Sequence, residues 1–186
     1  MILAVACVAS ACGGSPLSPS ELTSPLVLSG QSNAVNLAPF LSSVYPQPVL
    51  TVAENGRAIE GWYLLTGNHW RDLVPLLQQP IQAFVWWQGE SDRDNPNYLS
   101  DLRDLIARVR QVNGNPQLLV IEVRVLNLTA NAGVRAAQET FVQTDTNAVL
   151  ISSDGFQLDS TDHLTDAGYQ IVARRIFDAI RSAKIR

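Results

Sequence analysis

The chain has 186 residues, of which 46% are hydrophobic and 16% are charged. This composition is typical of a globular protein and excludes a disordered one, and the length suits one domain with its own core. A formal net charge of −4 argues against nucleic acid as the main partner, and the two cysteines and two histidines form no zinc-binding pattern.

The first twelve residues are typical of the end of a secretory leader. Met1 to Ala11 is uncharged and rich in Ala, Val and Leu, and it is too short for a membrane-spanning helix. Ala9-Ser10-Ala11-Cys12 resembles a bacterial lipoprotein processing site, where the cysteine is lipidated and becomes the mature N-terminus. We therefore expect a leader over residues 1–12 and an extracytoplasmic protein, periplasmic or at the cell surface, whose only membrane contact is a lipid on Cys12. Because no Lys or Arg precedes the apolar run, an unprocessed cytosolic N-terminus stays open.

A run of Gly, Ser, Pro and Thr follows over residues 13–25. Its low apolar content predicts a flexible tether. The folded domain is therefore expected to span residues 26–186. No cysteine follows Cys12, so no disulfide can stabilise that domain and its core must do so alone.

Five continuous apolar runs predict buried β-strands. They are Leu26–Leu28, Pro48–Ala53, Ile81–Trp87, Gln117–Leu126 and Ala148–Ser152. Since their apolar residues are continuous and do not alternate with polar ones, both faces of the sheet are expected to be covered.

Helical patterns lie between these strands. A segment from Ala34 to Val44 could carry a helix, and apolar residues recur at helical spacing from Tyr98 until Gly114 gives a stop signal. Val134–Gln143 and Asp166–Ser182 complete the set. Strands that alternate with helices predict an α/β fold, here a three-layer α/β/α sandwich around a mostly parallel five-stranded sheet.

Polar clusters follow four of the five strands, at the edge where an open parallel sheet binds ligands. Gln31-Ser32-Asn33 follows the first strand, residues 54–57 follow the second, residues 88–92 the third, and Asp154 with residues 159–163 the fifth. Together they supply a nucleophile, backbone donors, carboxylates and a histidine.

Ser32 is the candidate nucleophile. It lies on a tight turn between a strand and a helix, close to Gly30. Such a turn exposes a hydroxyl and leaves backbone N–H groups free for a developing oxyanion. His163 is the candidate base, because a neutral imidazole takes up a proton in the useful pH range, and His69 is its rival. On these residues alone, Ser32 could instead be a helix cap.

Five blocks carry a family resemblance in matching order over residues 26–182. They are Gly30–Asn33, Asn55–Trp62, Trp87–Asp92, Val134–Gln138 and His163–Tyr169. In these blocks the chain resembles the SGNH (GDSL-type) hydrolase superfamily, within the carbohydrate acetylesterase branch that includes sialate O-acetylesterases. Gly-Gln-Ser-Asn together with Gln-Gly-Glu-Ser-Asp is a specific signal, whereas either alone would be modest.

The resemblance implies a flavodoxin-like fold and a serine esterase that needs no metal or cofactor. Ser32 would attack the acetyl carbonyl, and His163 would deprotonate Ser32 and then protonate the departing sugar hydroxyl. The backbone N–H groups of Ser32 and Gly56 and the side-chain amide of Gln88 would form the oxyanion hole.

The residue that orients His163 departs from the family pattern. Relatives usually have an aspartate three residues upstream, and here that position is Ser160. Asp159 is the preferred substitute, because positions four apart can share one side of a tight turn, and Asp162 is the fallback. A Ser–His dyad without a carboxylate is the third option, which would leave a slower enzyme.

Four further residues lie near the expected site without a role in bond making. Gln31 and Glu90 are expected to support the nucleophile loop from behind. Glu90 should accept hydrogen bonds from that loop, and a merely solvated carboxylate is the alternative. Arg57 and Arg93 could contact an acidic sugar or form surface ion pairs.

The sequence therefore predicts an esterase that removes acetyl groups from carbohydrates, with an acetylated carbohydrate as its partner. One alternative is the same mechanism on another acyl ester, such as a lysophospholipid or a thioester. The second is a carbohydrate-binding or adhesion lipoprotein with a degenerate site, which the displaced aspartate keeps open.

Overall fold

In the computed structural model, which describes residues 17–160 and 162–183, five strands form one sheet. They are β1 (Leu26–Gly30), β2 (Val49–Ala53), β3 (Ala83–Trp87), β4 (Val120–Val123) and β5 (Ala148–Ile151). Their order is β2-β1-β3-β4-β5, and every neighbouring pair is parallel. The direction of winding reverses between β1 and β3, which is where open α/β sheets form their ligand-binding crevice.

Helices cover both faces of the sheet. They are α1 (Ser32–Val44), α2 (Glu60–Tyr63), α3 (Asn68–Leu77), α4 (Tyr98–Asn113), α5 (Ala132–Thr144) and α6 (Asp166–Ala183). Helices α1 and α6 share one hydrophobic core with the sheet, and α2 to α5 share the other. The three-layer α/β/α sandwich with a parallel five-stranded sheet is therefore confirmed.

The central strands explain why the apolar runs are continuous. Every residue of β1 and β3 is buried, whereas the edge strands β2 and β5 are partly exposed. Leu26 and Leu28 contact the core of α1 and α6, and Val27 contacts the opposite core. Because successive side chains of a strand point to opposite faces, a strand covered on both faces needs apolar residues throughout.

Several element boundaries differ from those predicted. Helix α1 begins at Ser32 instead of Ala34, and the apolar run Gln117–Leu126 contains only four residues of strand. Helices α2 and α3 are absent from the prediction. The first is a single turn and the second contains Pro75, and both features weaken a helical signal in a sequence.

The structure corrects the flexible tether that the sequence predicts over residues 13–25. From Leu17 onward the segment packs on the domain. Leu22 is fully buried in the core of α1 and α6, and its carbonyl accepts a hydrogen bond from Gln47 at 3.1 Å. Leu17 is tied to Arg181 of α6 by two hydrogen bonds. The small and polar residues around the two leucines conceal this attachment in the sequence.

The predicted leader over residues 1–12, its Cys12 and residues 13–16 lie outside the described residues. Within the described ranges, no helix combines the length and the hydrophobicity needed to cross a bilayer. Lipidation of Cys12 and an extracytoplasmic location stay predictions.

Gly30, the last residue of β1, lies directly against β3. It has a φ of 141°, and a Cβ atom at this position would lie 2.0 Å from the carbonyl oxygen of Trp87. The same carbonyl accepts the N–H of Gln31 at 3.0 Å. Glycine permits this approach, which brings the turns after β1 and β3 together.

Gly30→Ala is expected to lower the free energy of unfolding by at least about 3 kcal/mol, because the new methyl group meets backbone atoms that cannot move aside. Gly133→Ala is the matched control, since Gly133 lies in α5 with open space at its Cβ position. That change is expected to be neutral or stabilising by up to about 1 kcal/mol. Urea unfolding measures both. Equal stability of the two variants would contradict the need for glycine at position 30.

Candidate active site

A cavity of about 500 Å³ lies at the carboxyl ends of the strands. We call it the nucleophile cavity. Its lining residues are Gln31, Ser32, Asn36, Asn55, Gly56, Glu90, Ser91, Arg93, Asp162 and His163. They come from the turns after β1, β2 and β3, from α1 and from the loop before α6, so the cavity spans the crevice at the switch in winding.

Ser32 is the first residue of α1 and is half-buried. Gln31 occupies the N-cap position, and its side chain makes no capping hydrogen bond. Ser32 is therefore not the capping residue of this helix. The first N–H groups of a helix have no acceptor within the helix, and their partial positive charge favours a developing anion at this end.

Gly56 follows β2 and lines the same cavity. Strand β2 lies on one side of β1, and β3 lies on the other. Gly56 is exposed and has a φ of 67°, in the left-handed region. The Glu54 N–H donates to the carbonyl of Gly30 at 3.1 Å, which continues the pairing of β1 with β2 up to this turn.

His163 lies on the loop before α6, and its two ring nitrogens have different surroundings. Nδ1 lies 3.1 Å from the hydroxyl oxygen of Ser160 and 3.5 Å from Oδ1 of Asp162. Nε2 is buried and has no hydrogen-bond partner among the described residues. Nε2 is therefore the ring nitrogen left to accept a proton.

The structure does not bring the carboxylate of Asp159, the preferred partner, to His163. The Asp159 N–H donates instead to the carbonyl of His163 at 3.2 Å, and Leu158 and Leu164 form an antiparallel bridge beside them. Asp159 and His163 thus pair through the backbone of a narrow hairpin, and their side chains do not meet on one side of the turn as the sequence predicts. Asp162, the fallback, is the carboxylate nearest to Nδ1 among those with a described contact.

Asn33, to which the sequence assigned no role, joins three parts of the site. Its side chain is fully buried, and its Nδ2 donates to Oε1 of Glu90 at 2.8 Å and to the carbonyl of Asp162 at 3.0 Å. Its Oδ1 accepts the hydroxyl of Tyr169 at 2.7 Å. The helix that begins at Ser32 is thereby tied to the turn after β3 and to the residue before His163. Its place next to the serine in a conspicuous block is the signal that could have identified it.

Gln31 supports the turn after β3 from below. Its Oε1 accepts the backbone N–H groups of Gly89 at 3.3 Å and Ser91 at 3.2 Å, and the side chain of Gln88 at 3.2 Å. Both residues expected behind the nucleophile loop, Gln31 and Glu90, are thus in contact with the elements around it.

The Gln88 amide, the predicted third oxyanion donor, lies away from the nucleophile cavity. Gln88 is fully buried, and its Nε2 donates to Gln31, to the carbonyl of Arg57 at 3.1 Å and to Asp92. These acceptors come from the turns after β1, β2 and β3 and occupy both N–H groups of the amide. Ser32 and Gly56 line the cavity together, but Gln88 is not brought to them.

Glu90 is the titratable group with the most altered environment in the cavity. It is 6% exposed, and its Oε2 has no hydrogen-bond partner among the described residues. Burial raises the pKa of Glu90 to about 7, and the negative charge of Asp162 adds to the rise. The hydrogen bond from Asn33 and the positive charge of Arg93 oppose it.

His69, the rival base, does not line the nucleophile cavity. Its Nε2 pairs with the Glu54 carboxylate, and its ring stacks on Trp62 with a centroid distance of 4.4 Å. It therefore braces the segment before Asn55 and Gly56.

A larger cavity, of about 560 Å³, lies at the amino ends of the strands, away from the nucleophile cavity. Ser24, Gln82 and Asn147 are among its lining residues, and no imidazole or carboxylate of the described chain lines it. No group of three or more His, Cys, Asp or Glu side chains suited to a metal ion occurs in the described ranges either.

Comparison with protein families gives one match. The model of the family described as carbohydrate esterase, sialic acid-specific acetylesterase, matches residues 45–182. No curated protein matches the chain.

Solved structures share the fold at low sequence identity. A protein from Arabidopsis thaliana has 24% identity and a TM-score of 0.65, over 79% of this chain and 65% of its own. A carbohydrate acetylesterase from Xanthomonas citri has 19% identity and a TM-score of 0.67, over 81% of this chain and 41% of its own. The chain therefore spans less than two thirds of these two proteins. A protein assigned to the SGNH hydrolases, from Slackia heliotrinireducens, has 11% identity and a TM-score of 0.64, over 82% of this chain and 96% of its own.

Glu90→Gln is expected to change how stability depends on pH. The pKa of Glu90 is about 7 in the folded chain against an ordinary value of 4.5. The folded state therefore binds a proton more tightly than the unfolded state, and stability falls as pH rises from about 4.5 to about 7. Glutamine, which stays neutral, avoids this loss, which is on the order of 3 kcal/mol.

Urea unfolding of both proteins at about pH 4 and about pH 8 measures the effect. The free energy of unfolding of the variant, relative to that of the wild type, should be higher at about pH 8 than at about pH 4. Glu122, whose pKa burial raises well above its ordinary value, is common to both proteins and cancels from the difference. Parallel stability curves would contradict the shift assigned to Glu90.

Proposed function

The chain belongs to the family of carbohydrate esterases described as sialic acid-specific acetylesterases, and from this premise we propose that it removes O-acetyl groups from carbohydrates with Ser32 as nucleophile and His163 as base. Membership of this family supports an esterase that acts on carbohydrate or acyl esters. We propose three further points: that Ser32 is the nucleophile, that the acyl group removed is acetyl, and that His163 acts as the base.

The observation that carries the proposal is that Ser32, Gly56 and His163 line one cavity although they follow different strands. In the proposed reaction, Oγ of Ser32 attacks the acetyl carbonyl while its proton passes to Nε2 of His163. The ester C–O bond then breaks, and the protonated imidazole gives its proton to the departing sugar oxygen. Water attacks the acetyl-enzyme by the same route and releases acetate.

The oxyanion formed at each step needs donors that are already in position. The N–H of Ser32 at the start of α1 and the N–H of Gly56 after β2 are the proposed pair, since both residues border the cavity. A contribution from Gln88 requires its amide to leave these buried acceptors, so we propose a hole with two donors.

The surroundings of Nδ1 favour the working tautomer of His163. Ser160 can donate to or accept from Nδ1 and so does not select a tautomer. Asp162, with Oδ1 at 3.5 Å, carries negative charge that favours a proton on Nδ1 and stabilises the imidazolium ion. We propose that Ser160 holds the ring and Asp162 supplies the charge.

The lining of the nucleophile cavity supports a short acyl group. Apart from Gly56, every lining residue has a polar or charged side chain. A long acyl chain would leave its methylene groups against these side chains and would gain little from burial. This composition favours acetyl esters over the lysophospholipid alternative.

The remaining parts of the proposal rest on sequence alone. We propose an extracytoplasmic protein attached through Cys12 and acting on an acetylated carbohydrate. The non-catalytic alternative, a carbohydrate-binding surface lipoprotein, is separated from the enzyme by the next experiment.

Ser32→Ala is expected to lower hydrolysis of 4-nitrophenyl acetate by at least about 10³-fold, because the attacking oxygen is removed. The matched control is Ser43→Ala, on the exposed face of the same helix, where the hydroxyl donates only to the carbonyl of Phe40. The control should turn over at the wild-type rate. Equal rates for Ser32→Ala and the wild type would exclude Ser32 as nucleophile, and 4-nitrophenyl octanoate hydrolysed faster than the acetate would favour the other acyl esters.

Asp162→Asn is expected to lower kcat by about 10- to 100-fold, because the amide cannot stabilise the imidazolium ion. Asp159→Asn should leave kcat unchanged, since its carboxylate makes no described contact with His163. Adding Ser160→Asp to Asp162→Asn should restore much of the loss by placing a carboxylate beside Nδ1. If Asp159→Asn is instead the damaging change, the assignment made from the structure is wrong.

A further inference from the structure

Another cavity, distinct from the one at the amino ends of the strands, adjoins the nucleophile cavity. It measures about 530 Å³ and shares Glu90, Ser91 and Arg93 with its neighbour. We call it the acidic cavity. Its other lining residues are Ile59, Glu60, Tyr63, Asp92, Asp94, Asn95, Asn97 and Asp101. The turn after β3 thus borders both cavities. A molecule whose ester group lies at Ser32 can therefore place its next part in the acidic cavity.

Five carboxylates and one guanidinium group line the acidic cavity. Two of the carboxylates are engaged within the protein, because Asn95 donates to Asp92 at 3.2 Å and to Asp101 at 3.0 Å. Glu60 and Asp94 are exposed, and no hydrogen bond or ion pair with another described residue engages their carboxylates. These two remain available as acceptors for a ligand.

Glu90 gives an independent indication that something polar is held here. Its side chain is almost entirely buried, it forms part of the wall of both cavities, and its Oε2 has no partner among the described residues. A buried carboxylate oxygen without a donor is costly. A hydroxyl group of a bound ligand would satisfy it once the carboxylate turns toward the acidic cavity, since Oε2 is closed to solvent as it stands.

The apolar part of the acidic cavity is small and comes from one side. Ile59 is buried and the ring of Tyr63 is half-buried beside it. A flat aromatic side chain facing a set of hydrogen-bond acceptors suits a sugar, which has C–H groups on its faces and hydroxyl groups around its edge.

The charge balance acts against an acidic sugar. Arg93 is the one cation among the lining residues, and its Nε already donates to Asn131 at 2.9 Å. Arg57, the other arginine near the site, lines neither cavity. A ligand carboxylate would lie among like charges, which costs binding energy.

We propose that the acidic cavity is the subsite for the alcohol part of the ester and that it selects an uncharged, hydroxyl-rich sugar over an acidic one such as a sialate. This inference rests on the proposed function for the position of the acetyl group, and it adds the substrate class. Glu60, Asp94 and Glu90 accept sugar hydroxyl groups, and Tyr63 packs on the ring.

The test uses two esters that differ only at C6 of the sugar, a hydroxymethyl group in one and a carboxylate in the other: a mono-O-acetylated methyl glucoside and the same ester of the methyl glucuronide. The wild type should have a kcat/KM about tenfold higher for the glucoside at low salt. Sodium chloride at about 0.5 M should reduce that preference, because salt screens exposed carboxylates. An acetylated sialoside should behave like the glucuronide.

The double variant Glu60→Gln, Asp94→Asn removes the two unengaged charges and should reduce the preference at least about threefold, mainly by improving the glucuronide. Asp104→Asn, an exposed change elsewhere on α4, is the matched control and should keep the wild-type preference. Equal or greater efficiency on the glucuronide in the wild type, or an unchanged preference in the double variant, would overturn the inference.

A binding measurement separates this inference from the proposed function. Unacetylated methyl glucoside and methyl glucuronide are titrated into Ser32→Ala, with and without the double variant, and followed by NMR. Tighter binding of the glucoside that depends on Glu60 and Asp94 supports the subsite even if 4-nitrophenyl acetate is not hydrolysed. Hydrolysis of 4-nitrophenyl acetate without such a preference leaves the esterase in place and rejects the subsite.

Discussion

One buried amide holds the parts of this site in register. The side chain of Asn33 donates to Glu90 and to the carbonyl of Asp162, and it accepts from Tyr169. Further hydrogen bonds support this arrangement, from Asn36 of α1 to Tyr169 and from the turn after β3 to Gln31, whereas the apolar contacts between these parts are not directional. The position of Ser32 relative to His163 therefore depends on a few buried hydrogen bonds.

The same buried region contains a carboxyl group, Glu90, whose charged form is destabilised by burial. Glu90 accepts from Asn33 and has one oxygen without a partner, while Gln31 fixes the turn that carries it. A folded chain tolerates such a group when function requires it there. Its position in the wall of both cavities, together with Ser91 and Arg93, gives a reason: the acetyl group and the sugar of the proposed substrate would both approach it.

The fold and most of the lining of the site could be predicted from the sequence, because central strands buried on both faces need continuous apolar runs and polar clusters at their ends must meet at one edge. The predictions that differ from the structure depend on contacts that the spacing of residues along the chain does not reveal. The sequence favours Asp159 because positions four apart can share one side of a tight turn, whereas a hairpin pairs it with His163 through the backbone. The Gln88 amide donates to acceptors on two distant segments and to nearby Asp92. Leu22 and the hydrogen bonds of Leu17 attach a segment that looks like a tether.

Gly56 follows β2, the strand at the edge of the sheet, which is paired on one side only and is largely half-buried or exposed. Ser32 follows β1, which is paired on both sides and fully buried. Local opening costs less at an edge than at a centre. Warming should therefore release Gly56, the second arm of the proposed oxyanion hole, while Ser32, the proposed nucleophile, is still held. Catalytic power would then fade below the melting temperature, and the His69–Glu54 pair beside that loop would set how far below.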